Sequence, residues 1–297
     1  MISILLNGVL GNQLFQYATG RMLSLKHNAE LTVDLSFINS KLQWSSLATF
    51  RKYELDAFEL PVLKRNLFIK GKFLYPFSKS EYWLRKRMAH FQYYDIQEDN
   101  SGFDLSVLHA PDNSYLEGFF QSEKYFHSIR DIIRNDLRFK QPLSGKNSAL
   151  SDQIRQTNSI SIHYRRGDYV SLGKNLQKYG ITGNEYYAKA MAYIVSSVKN
   201  PVFYIFSDNP DWVRQNVKTN HSFHIMDRNL DTDTSYIDMH LMSLCQHNII
   251  CNSTFSWWGA WLNSNPGKKV IAPARWLADP SINAGHILPD SWIKLYF

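Results

Sequence analysis

Two arginines and a histidine follow a short apolar segment in the second half of the chain. Because side chains alternate along a strand, His163 and Arg165 point to one side of it, while Tyr164 and Arg166 point to the other. A guanidinium group presents a planar fork of donors and a permanent positive charge, which suits a diphosphate leaving group. The pattern therefore predicts that one arginine binds a diphosphate and the other pairs with Asp168. A surface cluster of ion pairs is the alternative.

A glycine-containing segment, residues 8–13, links the apolar start of the chain to a helical pattern. Gly8 and Gly11 permit a tight turn, and the free N–H groups at a helix N-terminus favour an anion. The segment matches neither the dinucleotide-binding G-x-G-x-x-G pattern nor the phosphate-binding G-x-x-x-x-G-K-[ST] pattern. A purely structural turn is therefore the alternative to an anion site.

Two further polar clusters also follow apolar segments. Asp208 is placed to accept hydrogen bonds from guanine N–H groups or a ribose hydroxyl, or else to cap the next helix. Residues 252–256 carry hydroxyl groups at the start of a helical pattern, which predicts a second anion site. The tryptophans at 257, 258 and 261 are expected to pack between two domains.

These clusters need a common framework, and the periodicity of the second half supplies it. Short apolar runs alternate with helical patterns, which predicts a parallel sheet covered by helices on both faces. The predicted strands are 159–163, 202–206, 222–226, 248–251 and 269–272, and the predicted helices are 184–198, 210–217, 235–246 and 256–264. Ligands of such sheets bind beyond the carboxyl ends of the strands, where the polar clusters lie.

The first half reads as a less regular version of the same design. A strand at 2–6, a helix at 13–27, a strand at 31–34 and a helix at 122–138 are predicted, whereas residues 39–115 give no clear pattern. Pro, Ser and Gly interrupt the helical patterns at 141–147. We therefore expect two Rossmann-like domains, 1–145 and 146–297.

Composition limits the setting of the protein. The chain of 297 residues is 44% hydrophobic. It contains no apolar run of the ~18 residues that a membrane span needs, and its start lacks an export signal. Cys245 and Cys251 lie in apolar stretches, which favours buried thiols over a disulfide or a zinc site. A soluble, cytoplasmic protein is expected.

The formal net charge of the chain is +7. Residues 64–90 alone carry eight basic residues and one acidic residue, an excess equal to that of the whole chain, and aromatic residues are interleaved with them. This basic segment is a candidate contact with the inner face of the cytoplasmic membrane, and a solvated surface is the alternative. No nucleic-acid-binding motif occurs, so nucleic acid is not an expected partner.

Metal and acyl-transfer chemistry have little support in the sequence. Residues 231–233 (Asp-Thr-Asp) resemble a metal-binding D-x-D motif but lie in a polar connection, where two acids are common. The ten histidines form no metal spacing, and there is no G-x-S-x-G segment. We therefore expect no metal cofactor and no hydrolase.

Taken together, residues 11–18, 163–169 and 252–261 resemble glycosyltransferase family 11, the α-1,2-fucosyltransferases. Residues 119–126 and 206–208 add to the resemblance, which differs at Val9, where the family usually has a second glycine. It implies a GT-B-like fold, with two Rossmann-like domains and the donor cleft between them. The N-terminal domain would take the acceptor and the C-terminal domain the donor. The implied reaction is metal-independent transfer of L-fucose, with inversion, from GDP-β-L-fucose to the 2-hydroxyl of a terminal β-galactose.

The resemblance also implies roles for individual residues. Arg165 would hold the β-phosphate, His163 and Asp208 the nucleoside end, and Asn12 would lie near the transferred sugar; Arg165, His163 and Asn12 are the catalytic candidates. The donor-binding candidates are Gly11, Asn12, Gln13, His163, Arg165, Arg166, Asp168, Ser207, Asp208, Asn252, Ser253, Thr254, Phe255 and Ser256.

The acceptor side is less sharply defined. Gln121 and Glu117 are the acceptor-binding candidates, and Glu117 and Asp34 are candidates for the general base. The acceptor would be a galactose-terminated glycan, lipid-linked or free. Three alternatives stay open: a fucosyltransferase of other linkage (α-1,6 or protein O-linked), a non-catalytic nucleotide-sugar or glycan-binding protein, and a basic membrane-adhesion protein.

Overall fold

The computed structural model describes residues 1–39, 52–65, 92–94, 102–166, 182–226, 235–279 and 284–296. The chain divides into two compact units, Met1–Lys140 and Gln141–Phe297. The division falls at the start of the segment, 141–147, in which the sequence predicts the boundary.

The N-terminal unit contains a five-stranded sheet in the order β3-β2-β1-β5-β4, with all paired strands parallel. Its strands are β1 (Ile2–Leu5), β2 (Leu31–Asp34), β3 (Leu63–Arg65), β4 (Gln92–Tyr94) and β5 (Ser114–Leu116). Its α-helices are α1 (Leu10–Lys26) and α2 (Arg130–Asp136), and short 3-10 helices occur at Leu55–Ala57, Leu105–His109, Glu123–Tyr125 and His127–Ile129.

Helix α1 packs closely on this sheet because Gly20 lies where it approaches the strands. A Cβ atom at that position would lie 2.9 Å from Leu31 Cδ1 and 3.3 Å from Ile4 Cγ2. The neighbouring face of the helix buries Leu14, Phe15 and Ala18 completely. Burial of apolar surface at ~25 cal/mol per Å² therefore fixes α1, and with it the loop that precedes it.

The C-terminal unit contains a six-stranded parallel sheet in the order β11-β10-β9-β6-β7-β8. Its strands are β6 (Asn158–Tyr164), β7 (Pro201–Ser207), β8 (Phe223–Ile225), β9 (His247–Ile249), β10 (Val270–Pro273) and β11 (Ile293–Leu295). Its α-helices are α3 (Gly145–Gln156), α4 (Asn184–Ser197), α5 (Pro210–Asn216), α6 (Ser235–Leu244) and α7 (Thr254–Leu262), with a 3-10 helix at Gly285–Ile287.

Strand β7 shows why both faces of this sheet are buried. Phe203 and Ile205 lie in one apolar cluster, which includes residues of α4, whereas Tyr204 and Phe206 lie in a second cluster with residues of α6. Successive side chains of a strand point to opposite faces, so an apolar strand requires a cover on each side. The predicted doubly covered parallel sheet is confirmed.

Two predicted features of the N-terminal unit need correction. Helix α1 begins at Leu10 rather than Gln13, so Gly11 lies in its first turn and Gly8 in the loop before it. The helix predicted at 122–138 is α-helical only from Arg130, because the backbone leaves helical geometry at Phe126 and Ile129. Adjacent Tyr125 and Phe126 are both buried, one against Phe103 and the other against Phe15. This packing overrides the helical pattern.

Some expectations fall on other parts of the chain. Of the basic segment 64–90, only Lys64 and Arg65 are among the described residues, and they are the last two residues of strand β3. Asp168 and residues 231–233 also lie outside the described residues. Within the described residues, none of the helices combines the length and the apolar character that crossing a membrane requires.

Candidate active site

The ends of β6 and β7 bring the predicted arginine and aspartate together. These are neighbouring strands, with Tyr164 paired in register with Ser207, so the residues that follow them meet. Arg165 Nε lies 3.2 Å from Asp208 Oδ2, and the main-chain N–H of Arg166 donates to Asp208 Oδ1 at 2.8 Å. The side chain of Arg165 remains 24% exposed, against 11% for Asp208. The carboxylate thus fixes a positive charge that solvent still reaches.

Asp208 does not cap the helix that follows it. The side chain of Asn209 accepts the hydrogen bond from Trp212 N at 3.0 Å, and so caps α5. The capping alternative for Asp208 is therefore wrong, because its carboxylate faces the two arginines instead. The main-chain N–H of Asn209 also donates to the buried hydroxyl of Ser207 at 3.0 Å, which ties that donor-binding candidate to the turn.

Strand alternation separates the two arginines as predicted. The guanidinium carbon of Arg166 lies 3.8 Å from the centre of the Trp212 ring, and the Tyr164 ring lies 6.1 Å from the same ring. A guanidinium over an aromatic face gains a cation–π interaction of about 0.5–2 kcal/mol. Arg166 and Tyr164 therefore share one side, and the side chain of Arg165 approaches Asp208.

His163 lies behind Arg165 in an enclosed site. It is only 5% exposed, Cys251 Sγ lies 3.3 Å from its Nδ1 atom, and the ring of Phe255 is 5.7 Å away. Burial lowers the pKa of His163 from 6.5 to about 4, with Asp208 opposing the shift and Arg165 adding to it. The imidazole is thus neutral at physiological pH, so the charge of this cluster is carried by Arg165 and Asp208.

The loop after β9 is partly used to hold itself together. The Asn252 side chain accepts from Thr182 Oγ1 at 3.0 Å and donates to the carbonyl oxygen of Trp276 at 3.2 Å. The Ser256 hydroxyl donates to the carbonyl oxygen of Ser253 at 3.2 Å, and all three loop residues are buried. Asn252 and Ser256 thus use their side chains within the loop, and their direct contact with the donor stays a prediction. They shape the start of α7.

The half-buried residues of that helix start are Thr254 and Phe255. Helix α7 begins at Thr254, two residues earlier than predicted, and Ser253 precedes it without a side-chain cap. The tryptophans of α7 pack on one another and on Trp292, and Trp257 Nε1 donates to the carbonyl oxygen of Ile287 at 2.8 Å. These contacts lie within the C-terminal unit, not between domains as the sequence suggested.

In the N-terminal unit, the loop between β1 and α1 is shaped by Gly8. Its φ of +77° is a conformation that side chains other than glycine rarely adopt, and a Cβ atom there would lie 2.4 Å from Asn12 Nδ2. Asn12 is half-buried and its Oδ1 accepts from Gln121 Nε2 at 3.0 Å. The structure therefore brings together a donor-side and an acceptor-side candidate, beyond the carboxyl ends of β1 and β5.

Gln13 points away from this surface. Its side chain is fully buried, donates to the carbonyl oxygens of Gly8 and Lys52 at 3.0 and 2.7 Å, and accepts from Glu54 N at 2.9 Å. Glu54 Oε2 in turn accepts from Leu10 N at 2.7 Å, the first N–H group of α1. Direct donor contact by Gln13 is thus corrected to a structural role, and a carboxylate occupies the predicted anion site.

Asp34 is also corrected. It is fully buried, and its carboxylate accepts from Ser36 N at 2.9 Å, Ser36 Oγ at 2.6 Å and Tyr115 OH at 2.7 Å. A carboxylate with three internal donors and no exposed surface does not reach an acceptor hydroxyl, so Asp34 is not the base. Glu117 is half-buried directly after β5 and remains the one candidate base from the sequence.

Three contributors to the site were missed from the sequence. Glu54 lies in a stretch without any periodic signal, so its position at the start of α1 could not be foreseen. Trp212 carried a weak signal, since it lies in the first turn of the helix after Asp208. Cys251 carried a better one, because it precedes the loop at 252–256 and hence ends a strand of the same sheet. Among the described residues, no group of three or more His, Cys, Asp and Glu side chains is arranged to hold a metal ion.

Comparison with known proteins gives a consistent result. Residues 1–295 match the model of glycosyl transferase family 11. An alpha-1,2-colitosyltransferase from Escherichia coli is 32% identical over 98% of this chain and 97% of its own length. Galactoside alpha-(1,2)-fucosyltransferase 1 from Rattus norvegicus is 28% identical over 86% of this chain and 61% of its own length.

A solved structure supports the fold assignment. The structure of a FUT1 mutant from Arabidopsis thaliana in complex with GDP superposes with a TM-score of 0.50 at 10% identity, covering 94% of this chain and 71% of that chain. At this identity the likeness concerns the fold alone. The predicted α/β class, with Rossmann-like units of the GT-B type, is confirmed.

Proposed function

The chain belongs to glycosyltransferase family 11, and on that premise we propose that it transfers L-fucose from GDP-β-L-fucose to the 2-hydroxyl of a terminal β-galactose. The observation that carries the proposal is the Arg165–Asp208 pair at the ends of two central parallel strands. Sheets of this kind bind nucleotides beyond the carboxyl ends of their strands. The C-terminal unit is therefore the donor-binding unit of the proposal, and the N-terminal unit takes the acceptor.

Arg165 acts on the leaving group. In an inverting transfer, the bond between C1 of the sugar and the β-phosphate oxygen breaks while the acceptor oxygen bonds to the opposite face of C1. Negative charge builds up on the departing GDP, and a guanidinium already held in place stabilises it without further reorganisation. The contact through Nε to Asp208 holds the guanidinium plane in place.

His163 and Asp208 contribute to the nucleoside end of the proposed donor site. A neutral imidazole and a carboxylate supply a donor and an acceptor, which suits ribose and guanine better than phosphate. Ser253, Thr254 and Phe255 at the start of α7 line the same side of the sheet, after the neighbouring strand β9. Gly11, Asn12, Ser207 and Arg166 complete the donor set that we retain from the sequence.

Asn12, near the transferred sugar, and Gln121, on the acceptor side, form the sugar-binding pair of the proposal. Their amide groups are half-buried and joined by a hydrogen bond of 3.0 Å, so each is held with part of its surface accessible. Amide side chains both donate and accept, as recognition of sugar hydroxyls requires. Glu117 is the candidate that would take the proton from the 2-hydroxyl of galactose. The 6-deoxy sugar leaves readily as an oxocarbenium-like species, which lowers the demand on this base.

The remaining elements of the proposal concern cofactors and location. Arg165 supplies the positive charge that a divalent metal supplies in other glycosyltransferases, so the proposed reaction needs no metal cofactor. The acceptor is a galactose-terminated glycan, and the basic segment 64–90 is the proposed contact with membrane that carries a lipid-linked form of it.

The test is product formation with a matched pair of arginine variants. The protein is incubated with labelled GDP-fucose and a β-galactoside, and the linkage in the product is determined by NMR spectroscopy. Arg165→Lys should lower kcat by about 100-fold or more, because a point charge replaces a bidentate fork. Arg214→Lys is the control, since Arg214 forms an exposed ion pair with Asp211 on the surface of α5.

Each outcome separates the alternatives. An α-1,2 linkage with the loss confined to Arg165→Lys supports the proposal, whereas an α-1,6 or protein O-linked product would assign another linkage. GDP-fucose binding without any product would favour a nucleotide-sugar-binding protein. Equal activity of both variants would refute the role of Arg165.

A second candidate donor is favoured by one comparison. The E. coli relative that is 32% identical bears the name of an α-1,2-colitosyltransferase, so transfer of colitose from an activated donor is the alternative within the same chemistry. Colitose differs from fucose by the absence of the 3-hydroxyl group. Competition between the two activated sugars in one reaction would decide, as a site built to bind that hydroxyl rejects the sugar without it.

A further inference from the structure

A buried thiol lies directly against the imidazole of the candidate site. Strand β9 pairs with β6, with Ile249 opposite Ile162, so the residues just beyond these positions converge. Cys251 Sγ lies 3.3 Å from His163 Nδ1, although the two residues are 88 positions apart in the chain. Cys251 is fully buried. The contact is thus imposed by the register of the sheet.

The hydroxyl groups around this contact bear on its direction. The Tyr187 hydroxyl donates to the main-chain oxygen of His163 at 2.9 Å, and the Ser256 hydroxyl donates to the carbonyl oxygen of Ser253 at 3.2 Å. Ser256 Oγ lies 3.8 Å from Cys251 Sγ, farther than Nδ1. An imidazole nitrogen is a stronger acceptor than a thiol sulfur. These contacts favour the arrangement in which the thiol donates its S–H to Nδ1.

The protonation states are compatible with this direction. Burial raises the pKa of Cys251 to about 12 and lowers that of His163 to about 4. The thiol and the imidazole are thus both neutral at physiological pH. A neutral imidazole carries one N–H group, so a ring that accepts at Nδ1 carries its hydrogen at Nε2.

We propose that Cys251 is a positioning residue that holds His163 in its Nε2–H form, so that His163 donates a hydrogen bond to the sugar nucleotide instead of accepting a proton. The identity of that ligand rests on the proposed function, whereas the form of the ring does not. Partners behind a functional histidine set its tautomer in the same way at other sites. The proposal gives His163 a role in binding and leaves Glu117 as the candidate general base.

The tautomer is measured directly by long-range ¹H–¹⁵N NMR correlation of protein with ¹⁵N-labelled histidine. The His163 signals are assigned by their absence in His163→Gln. We expect an unprotonated Nδ1 and a protonated Nε2 in the unmodified protein, and a mixture of both neutral forms in Cys251→Ala. A hydrogen on Nδ1 in the unmodified protein would overturn the proposal.

Steady-state kinetics then measure the consequence. Cys251→Ala should raise the KM for the sugar nucleotide about three- to tenfold, the value of one hydrogen bond, with little change in kcat. Cys251→Ser keeps a donor beside Nδ1 and should restore both the Nε2–H form and a KM within about twofold of the original. Cys245→Ala is the matched control, because Cys245 is equally buried but contacts the Leu241 carbonyl oxygen instead.

Loss of fold and loss of positioning give different results. If Cys245→Ala raises the KM as much as Cys251→Ala, the effect is general destabilisation and the proposal fails. It also fails if Cys251→Ala retains the Nε2–H form. A failure of the proposed function would appear separately, as absence of GDP-fucose binding in the unmodified protein with the Nε2–H form still present.

Discussion

The buried histidine of the candidate site should make the stability of the C-terminal unit depend on pH. Burial lowers the pKa of His163 to about 4, from 6.5 in an unfolded chain. Between these values the unfolded state binds a proton that the folded state does not. Stability is therefore complete above pH 6.5 and falls as the pH falls toward 4.

The size of the effect follows from the two pKa values. For one group with these values, proton linkage predicts a loss of about 2 kcal/mol between pH 7 and pH 5. The groups that face the ring act in both directions: the Asp208 carboxylate favours the charged imidazole, and the Arg165 guanidinium disfavours it. The neutral Cys251 thiol adds no charge, because burial raises its pKa to about 12.

The assay compares the original protein with His163→Gln by urea denaturation at pH 7 and pH 5. Six of the eight tryptophans lie in the C-terminal unit, so tryptophan fluorescence reports mainly on the unit that contains His163. His240 and His247 also have lowered pKa values through burial, but their contribution is common to both proteins and cancels in the difference.

We expect the original protein to lose about 2 kcal/mol more than His163→Gln when the pH is lowered from 7 to 5. We expect His163→Gln to be less stable than the original protein already at pH 7. The test is therefore how the difference in free energy of unfolding between the two proteins changes from pH 7 to pH 5. An equal loss in both proteins would refute the reasoning, because it would mean that the imidazole accepts a proton in the folded state as readily as in the unfolded state.

Three further predictions concern the loop after β1 and the metal dependence. Gly8→Ala should lower the free energy of unfolding by about 1–2 kcal/mol through its positive φ and raise the acceptor KM by displacing Asn12; unchanged values of both in denaturation and kinetic assays would contradict the role of the turn. Gln13→Ala should lower the free energy of unfolding by about 2–4 kcal/mol, since it leaves buried partners without hydrogen bonds. Gln121→Ala should instead act mainly on the acceptor KM. A larger loss of stability in Gln121→Ala than in Gln13→Ala would contradict these two roles. Activity should persist in excess EDTA; loss of activity that Mn²⁺ restores would return attention to the acids at 231–233.

The regularity of the C-terminal unit made its fold predictable from sequence. The central strand β7 is apolar on both faces, and the helix Asn184–Ser197 buries Tyr186, Tyr187, Ala190 and Ile194 at helical spacing, so local pattern and tertiary structure agree there. The strands of the N-terminal unit that the sequence missed, β3, β4 and β5, are only three residues long. A run that short carries no measurable periodicity, and pairing with its neighbours makes it a strand.

Prediction of the site identified residue types, whereas the Arg165–Asp208 partnership was not foreseen and the pairing with Asp168 lies outside the described residues. Arg165 and Asp208 were both identified, but Asp168, nearer in sequence, was the expected partner of the second arginine. The choice depends on the order of strands in the sheet. Position along the chain carries little information about that order, because β6 is followed by β7 at one side and by β9 at the other.

The two neighbours of β6 fix different properties of the same strand end. From β7 comes Asp208, which holds the charge of Arg165; from β9 comes Cys251, which sets where His163 carries its hydrogen. Because His163 and Arg165 are two residues apart, they share a side of the strand, so a change in the register of β6 would disrupt both together. Substitution of one partner should therefore leave the other contact intact: Asp208 variants should alter how the charge of Arg165 is held, and Cys251 variants where His163 carries its hydrogen.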